Sequence, residues 1–95
     1  MKNKNDVNIL IVDDRTENLL VLESLLEKIE CNIIKATSGN EALSLMLYYE
    51  FALVLLDVQM PDMDGFETAE YIRMNSKTRY VPCLLYTSPS PRDRS

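Results

Sequence analysis

The chain contains no histidine, and this absence narrows the chemistry open to it. It excludes histidine as a general base and removes most zinc sites, which leaves carboxylates as the strong metal ligands. The formal net charge is -5, and no basic patch stands out, so nucleic acid is not expected as a direct partner. No apolar stretch approaches the roughly 20 residues that a membrane-spanning helix needs. The sequence therefore predicts a protein that binds neither nucleic acid nor a membrane.

The N-terminal residues, MKNKNDVN, lack the apolar segment of a signal peptide, so a cytoplasmic location is expected. Cys31 and Cys83 show no metal-ligand spacing and are predicted to be reduced thiols there. The chain has 95 residues, of which 46% are hydrophobic, which suits one domain with a real core. Nothing in the pattern indicates a particular oligomeric state.

Apolar runs of strand type alternate with stretches of helical period along the chain. Strands are predicted at residues 9–12, 32–36 and 52–56, with a fourth beginning within 79–82. Helices are predicted at residues 15–30 and 40–49, and a third follows Asp64. This βαβαβαβ order, with short connections, predicts an α/β fold whose parallel sheet carries helices on both faces.

The helices are predicted to be amphipathic and to begin at recognisable caps. Ser38 is followed three residues later by Glu41, and Asp64 by Glu67, which is the capping-box spacing. The inward faces are predicted from apolar residues at three- and four-residue spacing: Leu19, Leu22, Leu26 and Ile29 in the first helix, Ala42, Leu43, Met46 and Leu47 in the second, and Phe66, Ala69 and Ile72 in the third.

Two of the predicted strands end directly in aspartate. The run FALVLL at residues 51–56 suits a strand buried on both faces, and Asp57 follows it without an intervening polar residue. The first strand ends in the same way at Asp13 and Asp14. If the two strands are neighbours, three carboxylates meet at one edge of the sheet, where repulsion requires a bound proton or cation. Mg²⁺ suits such a set of oxygen ligands, and Asp57 must remain within reach of solvent to react.

With Mg²⁺ present, Asp57 could attack phosphorus and form an acyl phosphate, while the metal neutralises the developing charge. Each signal also has an ordinary explanation. An Asp-Asp pair before a helix is usually a solvated N-cap, and a lone aspartate after a strand is usually a turn residue. Asp62 and Asp64 are expected to be loop and cap residues. It is the combination of strand ends that favours a functional site.

Two segments together resemble a known family. ILIVDD at Ile9 to Asp14 and LVLLDVQMPDMDGFE at Leu53 to Glu67 are similar to the receiver domain of bacterial two-component response regulators. The resemblance implies a flavodoxin-like, doubly wound parallel sheet with strand order 2-1-3-4-5, here lacking its C-terminal part. It also implies a phosphoacceptor that takes its phosphoryl group from a histidine kinase or from a fused kinase module.

The resemblance assigns roles to individual residues. It makes Asp57 the phosphoacceptor, and it places Mg²⁺ on Asp13, Asp14, Asp57 and the backbone carbonyl of Gln59. The family also has a hydroxyl residue after the fourth strand and a lysine after the fifth. Thr87 falls at the hydroxyl position, and the lysine has no counterpart in this chain.

The loop that follows Asp57 is expected to be shaped by Pro61 and Gly65, as in the family. The resemblance predicts no enzyme activity beyond self-phosphorylation and self-dephosphorylation. Two alternatives stay open. One is a Mg²⁺-dependent phosphohydrolase with Asp57 as nucleophile, although Gln59 stands where such enzymes carry a second aspartate as the acid. The other is a receiver-like interaction domain that is never phosphorylated.

The end of the chain differs in composition from the rest. Residues 1–83 are predicted to be a truncated receiver domain, and residues 84–95, LLYTSPSPRDRS, a non-native or disordered tail. Translated read-through of a sequencing adapter is one source of such a tail, and a natural linker is the alternative. Without the later elements of the fold, the fragment is predicted to keep its metal and phosphoacceptor residues but not the conformational switch.

Overall fold

The computed structural model describes residues 7–87, which form a parallel sheet with helices on both faces. Within that range the elements are β1 (Asn8–Val12), α1 (Thr16–Leu26), β2 (Asn32–Ala36), α2 (Gly39–Tyr48), β3 (Leu53–Asp57), α3 (Gly65–Met74) and β4 (Cys83–Tyr86). The strand order is β2-β1-β3-β4, and each neighbouring pair is parallel. The predicted α/β class and flavodoxin-like order are confirmed for these strands. Parallel neighbours need crossover connections, which the alternating helices supply.

The central strand β3 is buried on both faces, as its unbroken apolar run predicts. Val54 and Leu56 pack towards α2 and α3, whereas Leu55 packs on the other face with Leu19 of α1. β1 alternates in the same way beside it. A strand with two apolar faces cannot show the polar alternation of a half-exposed strand, which explains the continuous hydrophobic sequence.

Both predicted helix caps are present. The Ser38 hydroxyl accepts a hydrogen bond from the Glu41 N–H (3.1 Å), and the Glu41 carboxylate accepts one from the Thr37 N–H (2.8 Å). The Asp64 carboxylate accepts one from the Glu67 N–H (2.8 Å) at the start of α3. Each cap satisfies a backbone donor that has no partner within its own helix.

Replacing Ser38 with alanine is expected to lower the free energy of unfolding by about 0.5–2 kcal/mol, because the Glu41 N–H loses its acceptor. Chemical denaturation followed by circular dichroism measures the change. Ser44→Ala, at an exposed position within the same helix, is the matched control and should cost nothing measurable, since alanine is the better helix former. Equal losses in the two variants would contradict the capping role of Ser38.

The first helix is shorter than predicted. It ends at Leu26 rather than at residue 30, because the chain turns there and the Ile29 N–H donates to the Leu26 carbonyl (2.9 Å). Ile29 therefore lies beyond the helix and is 52% exposed, so its predicted place on the inward face is wrong. Leu19 is buried, and Leu22 and Leu26 pack against the α1 side of the sheet.

Two other predicted core residues are exposed. Phe66 is 62% exposed because α3 faces the sheet through Gly65, Thr68, Ala69 and Ile72, a helical stripe from which Phe66 is rotated away. Leu47 is 56% exposed and lines an open cavity between α2 and α3 instead of packing in the core. The inward stripe of α3 includes a glycine and a threonine, which apolar periodicity alone does not select.

The fourth strand begins later than predicted. Residues 75–81 form turns, and the regular strand runs Cys83–Tyr86. The Pro82 carbonyl already accepts a hydrogen bond from the Val54 N–H (2.9 Å), but proline has no N–H to contribute to the ladder. Leu84, Leu85 and Tyr86 therefore belong to the sheet, although the composition predicts a tail that begins at residue 84. Residues 88–95 lie outside the described range, and the origin of the tail stays a prediction.

Among the helices in the described range, none combines the length and apolar character that crossing a bilayer demands.

Cys31 and Cys83 are both free thiols. Burial raises the pKa of the half-buried Cys83 thiol, which keeps it protonated at neutral pH.

Candidate metal centre

Strand register brings three carboxylates to one edge of the sheet. Val12 pairs with Leu56, so Asp13, the next residue after β1, lies beside Asp57 at the end of β3. Asp14 follows directly. One carboxylate oxygen from each of Asp13, Asp14 and Asp57 lies within 4.8 Å of the other two. The juxtaposition expected from the strand ends is therefore present at the carboxyl edge, the edge at which open α/β sheets bind ligands.

The two buried aspartates are held by matching hydrogen bonds. Asp13 Oδ1 accepts from the Arg15 N–H (2.9 Å), and Asp57 Oδ1 accepts from the Gln59 N–H (3.1 Å). The N-cap of α1 is Arg15, which makes no side-chain cap hydrogen bond. The ordinary explanation of the Asp-Asp pair as an N-cap is therefore wrong. Asp57 does form the side-chain turn of a post-strand aspartate, in addition to its place in the cluster.

Asp13 and Asp57 are completely buried, whereas Asp14 is exposed. The expectation that Asp57 is open to solvent is wrong for this conformation. Asp57 pairs with Tyr86 of β4 on one side, and the Gln59 N–H of the β3–α3 loop donates to its carboxylate. Two buried carboxylates beside a third require a compensating cation or proton.

Tyr86 contributes to the site, although the sequence did not single it out. Its hydroxyl donates to Asp13 Oδ2 (2.8 Å) and lies 3.3 Å from the Val12 carbonyl oxygen. Burial, followed by the hydrogen bond to Asp13, raises the pKa of Tyr86 far above its usual value, so the hydroxyl stays protonated and is a donor. Tyr86 lies opposite Asp57 in β4. The sequence could have identified this position only if the bounds of β4 had been predicted correctly.

Gly65 allows α3 to begin directly against the backbone of Asp57. A Cβ atom at this position would lie 2.5 Å from the Asp57 carbonyl oxygen and 2.9 Å from the Val58 Cα. Both contacts are to backbone, which cannot rotate away. The loop shape that the family resemblance assigned to Gly65 thus has a steric cause, and Gly65 fixes the distance between the loop and Asp57. Pro61, in the same loop, is exposed.

The remaining predicted residues surround the carboxylates. Gln59 is two residues beyond Asp57 and is exposed, with its N–H donated to Asp57. Thr87 directly follows β4 at the same edge of the sheet and is exposed. Asp64 caps α3, as predicted, and Asp62 is exposed in the loop.

The donor set fits a small, hard cation. Mg²⁺ binds oxygen at about 2.1 Å, so opposite ligands of an octahedral ion stand about 4.2 Å apart. One carboxylate oxygen from each of Asp13, Asp14 and Asp57 lies within 4.8 Å of the other two, close to that span. The cluster contains carboxylates only, without the sulfur or imidazole ligands that zinc prefers. Their shared negative charge would be relieved by a divalent ion.

A cavity of about 390 Å³ lies elsewhere, between α2 and α3, with Leu43, Leu47 and Tyr71 among its lining residues. None of its lining residues belongs to the acidic cluster. The cluster combines buried charge, converging ligands and the carboxyl edge of the sheet, so we place the functional site there and not in the cavity.

A parallel sheet with helices on both faces and an acidic cluster at its carboxyl edge is the arrangement expected of a receiver domain. The sequence matches the family described as "Response regulator receiver domain" over residues 9–94. The chain belongs to that family, and the resemblance inferred from its two motifs is confirmed. Receiver domains are phosphoacceptor signalling modules that interact with histidine kinases and bind Mg²⁺ at an acidic pocket.

Individual relatives are similar over most of this chain. The N-terminal domain of a response regulator receiver protein from Methanoculleus marisnigri superposes with a TM-score of 0.81 and 37% identity, covering 90% of this chain and 70% of that one. Stress response regulator protein 1 of Debaryomyces hansenii is 36% identical over 93% of this chain and 37% of its own. Sensor histidine kinase GacS of Pseudomonas protegens is 39% identical over 76% of this chain. The match covers 8% of that kinase, so the chain spans a small part of these two curated relatives.

Proposed function

We propose that Asp57 is the phosphoacceptor of this receiver domain and that a histidine kinase, or a kinase module in the same polypeptide, is the donor. An oxygen of Asp57 forms a bond to phosphorus as the phosphorus–nitrogen bond of the donor phosphohistidine breaks. The imidazole leaves and takes up a proton, and Asp57 becomes an acyl phosphate. The observation that carries the proposal is the approach of Asp13, Asp14 and Asp57 to within 4.8 Å at the carboxyl edge.

In this proposal Asp13, Asp14, Asp57 and the backbone carbonyl of Gln59 hold Mg²⁺. When bound, the ion would neutralise negative charge on the phosphoryl group in transit. The chain's own groups do the positioning, because the Arg15 and Gln59 N–H groups fix the orientation of Asp13 and Asp57. Thr87, at the same edge, is proposed to donate its hydroxyl to the phosphoryl oxygens. The domain would carry no activity beyond its own phosphorylation and dephosphorylation, and the cytoplasmic location stays a prediction.

Incubating the 95-residue chain with Mg²⁺ and acetyl phosphate is expected to add one phosphoryl group, which peptide mapping by mass spectrometry should place on Asp57. Chelating the metal with EDTA should abolish the label, because the carboxylates then repel the incoming phosphate. Continuous release of phosphate over many turnovers would favour the phosphohydrolase. A folded chain that binds Mg²⁺ but takes no label would favour the interaction domain, and a label elsewhere would contradict the assignment of Asp57.

A further inference from the structure

We propose that Tyr86 is a positioning residue for the metal site, whose hydroxyl holds the Asp13 carboxylate in the orientation that binds Mg²⁺. The inference rests on the proposed function, since it assumes that Asp13 is a metal ligand. It concerns a residue that neither of the two sequence motifs contains. Its basis is the 2.8 Å hydrogen bond from the Tyr86 hydroxyl to Asp13 Oδ2.

The path of the side chain explains how β4 reaches β1. Tyr86 pairs with Asp57 of β3, yet its hydroxyl contacts Asp13, which follows β1 on the far side of β3. The side chain therefore crosses the end of β3. It packs against the core on the α1 side, where Leu55 is buried. Because this packing restricts the orientation of the ring, the position of its hydroxyl is also restricted. Little conformational entropy is therefore lost when the hydrogen bond to Asp13 forms.

Asp13 is consequently held at both of its oxygens. Oδ1 accepts from the Arg15 N–H (2.9 Å) and Oδ2 from the Tyr86 hydroxyl (2.8 Å). The hydroxyl has one proton, and the charged, nearer carboxylate is a stronger acceptor than the Val12 carbonyl at 3.3 Å. Each carboxylate oxygen has two lone pairs, so Oδ2 can accept this bond and still coordinate a cation. The hydroxyl thus orients the ligand without occupying its metal-binding capacity.

Tyr86→Phe removes the hydroxyl and keeps the ring, so the packing on the α1 side is preserved. Loss of a partner that orients a metal ligand typically weakens metal binding about 10–100-fold, and we expect at least a 10-fold rise in the Mg²⁺ dissociation constant by titration calorimetry. Tyr80→Phe is the matched control. Its side chain is 85% exposed beside Arg79, and its Mg²⁺ affinity should equal that of the wild type.

A second measurement uses the wild-type chain and does not depend on the folding of a variant. Mg²⁺ should shift the ring resonances of Tyr86 in NMR spectra with the midpoint found by calorimetry, and it should leave those of Tyr80 unchanged. A Tyr86 ring that makes no contact with the metal site would show no such coupled shift. The result is independent of phosphorylation.

The outcomes separate this inference from the proposed function. Weaker Mg²⁺ binding by Tyr86→Phe, together with the coupled resonance shift, supports the positioning role. If Tyr86→Phe binds Mg²⁺ as tightly as the wild type or more tightly, or if Mg²⁺ does not shift the Tyr86 resonances, the positioning role of Tyr86 is overturned. The proposed metal site is unaffected by either result. A folded wild-type chain that binds no Mg²⁺ overturns both the inference and the proposed metal site.

Discussion

Asp57→Asn is expected to eliminate Mg²⁺-dependent phosphorylation by acetyl phosphate, with incorporation falling below detection. Asparagine fills the same space but lacks the anionic oxygen that attacks phosphorus. It also removes one of the three clustered charges, so Mg²⁺ binding should weaken as well. Intact-mass spectrometry over a time course measures the incorporation, and calorimetry measures the metal affinity.

The control for this variant is Asp62→Asn, an identical change at an exposed loop position three residues before α3 begins. It should be labelled at the wild-type rate. In EDTA, Asp57→Asn should unfold at the wild-type temperature or higher, because one of two buried carboxylates in a repelling group has become neutral. Undiminished labelling of a folded Asp57→Asn chain would exclude Asp57 as the acceptor.

The proposed phosphorylation requires a phosphodonor to reach a buried side chain. Asp57 has no exposed surface in this conformation, so we expect the residues around the end of β3 to move before a donor approaches its carboxylate. The family match over residues 9–94 supports the proposal that phosphorylation takes place at this edge of the sheet. Motions of loops occur much faster than the minutes over which labelling is followed.

Gly65→Ala is expected to lower the free energy of unfolding by about 1–3 kcal/mol and to reduce phosphorylation at the same time. The new methyl group would lie 2.5 Å from the Asp57 carbonyl oxygen, so either α3 or the end of β3 must shift. Either movement displaces Asp57 relative to Asp13 and Asp14. Chemical denaturation measures the stability, and Mg²⁺ titration together with labelling measures the damage to the site.

Gly39→Ala is the matched control for this prediction. A Cβ there would meet side-chain atoms, the Thr68 hydroxyl and the Met63 sulfur, instead of the backbone of the site. The Met63 side chain is flexible, whereas the buried Thr68 can move only by losing its hydrogen bond to the Asp64 carbonyl, at a cost of about 1 kcal/mol. The control should therefore lose stability but keep its Mg²⁺ affinity. Equal losses of metal affinity in both variants would contradict the specific effect of Gly65 on Asp57.

Local sequence patterns predicted the parts of the molecule that depend on local physics. The unbroken apolar run before Asp57 predicted a strand buried on both faces, because such a strand has no solvent-facing side that needs polar residues. Ser38 and Asp64 predicted where two helices begin, because each side chain accepts a hydrogen bond from a backbone N–H in the first turn of its helix. The spacing of apolar residues did not predict that Phe66 is exposed, because its exposure depends on which face of α3 meets the sheet.

By itself, the sequence determined the fold class, the family and the identity of the three carboxylates at the strand ends. Only the tertiary structure decided that Asp57 is buried, that Gly65 touches its backbone and that Tyr86 reaches Asp13 across β3. The physical reason is separation along the chain. Tyr86 and Asp13 are 73 residues apart, and their contact exists only because parallel pairing places β1, β3 and β4 side by side with their carboxyl ends at one edge.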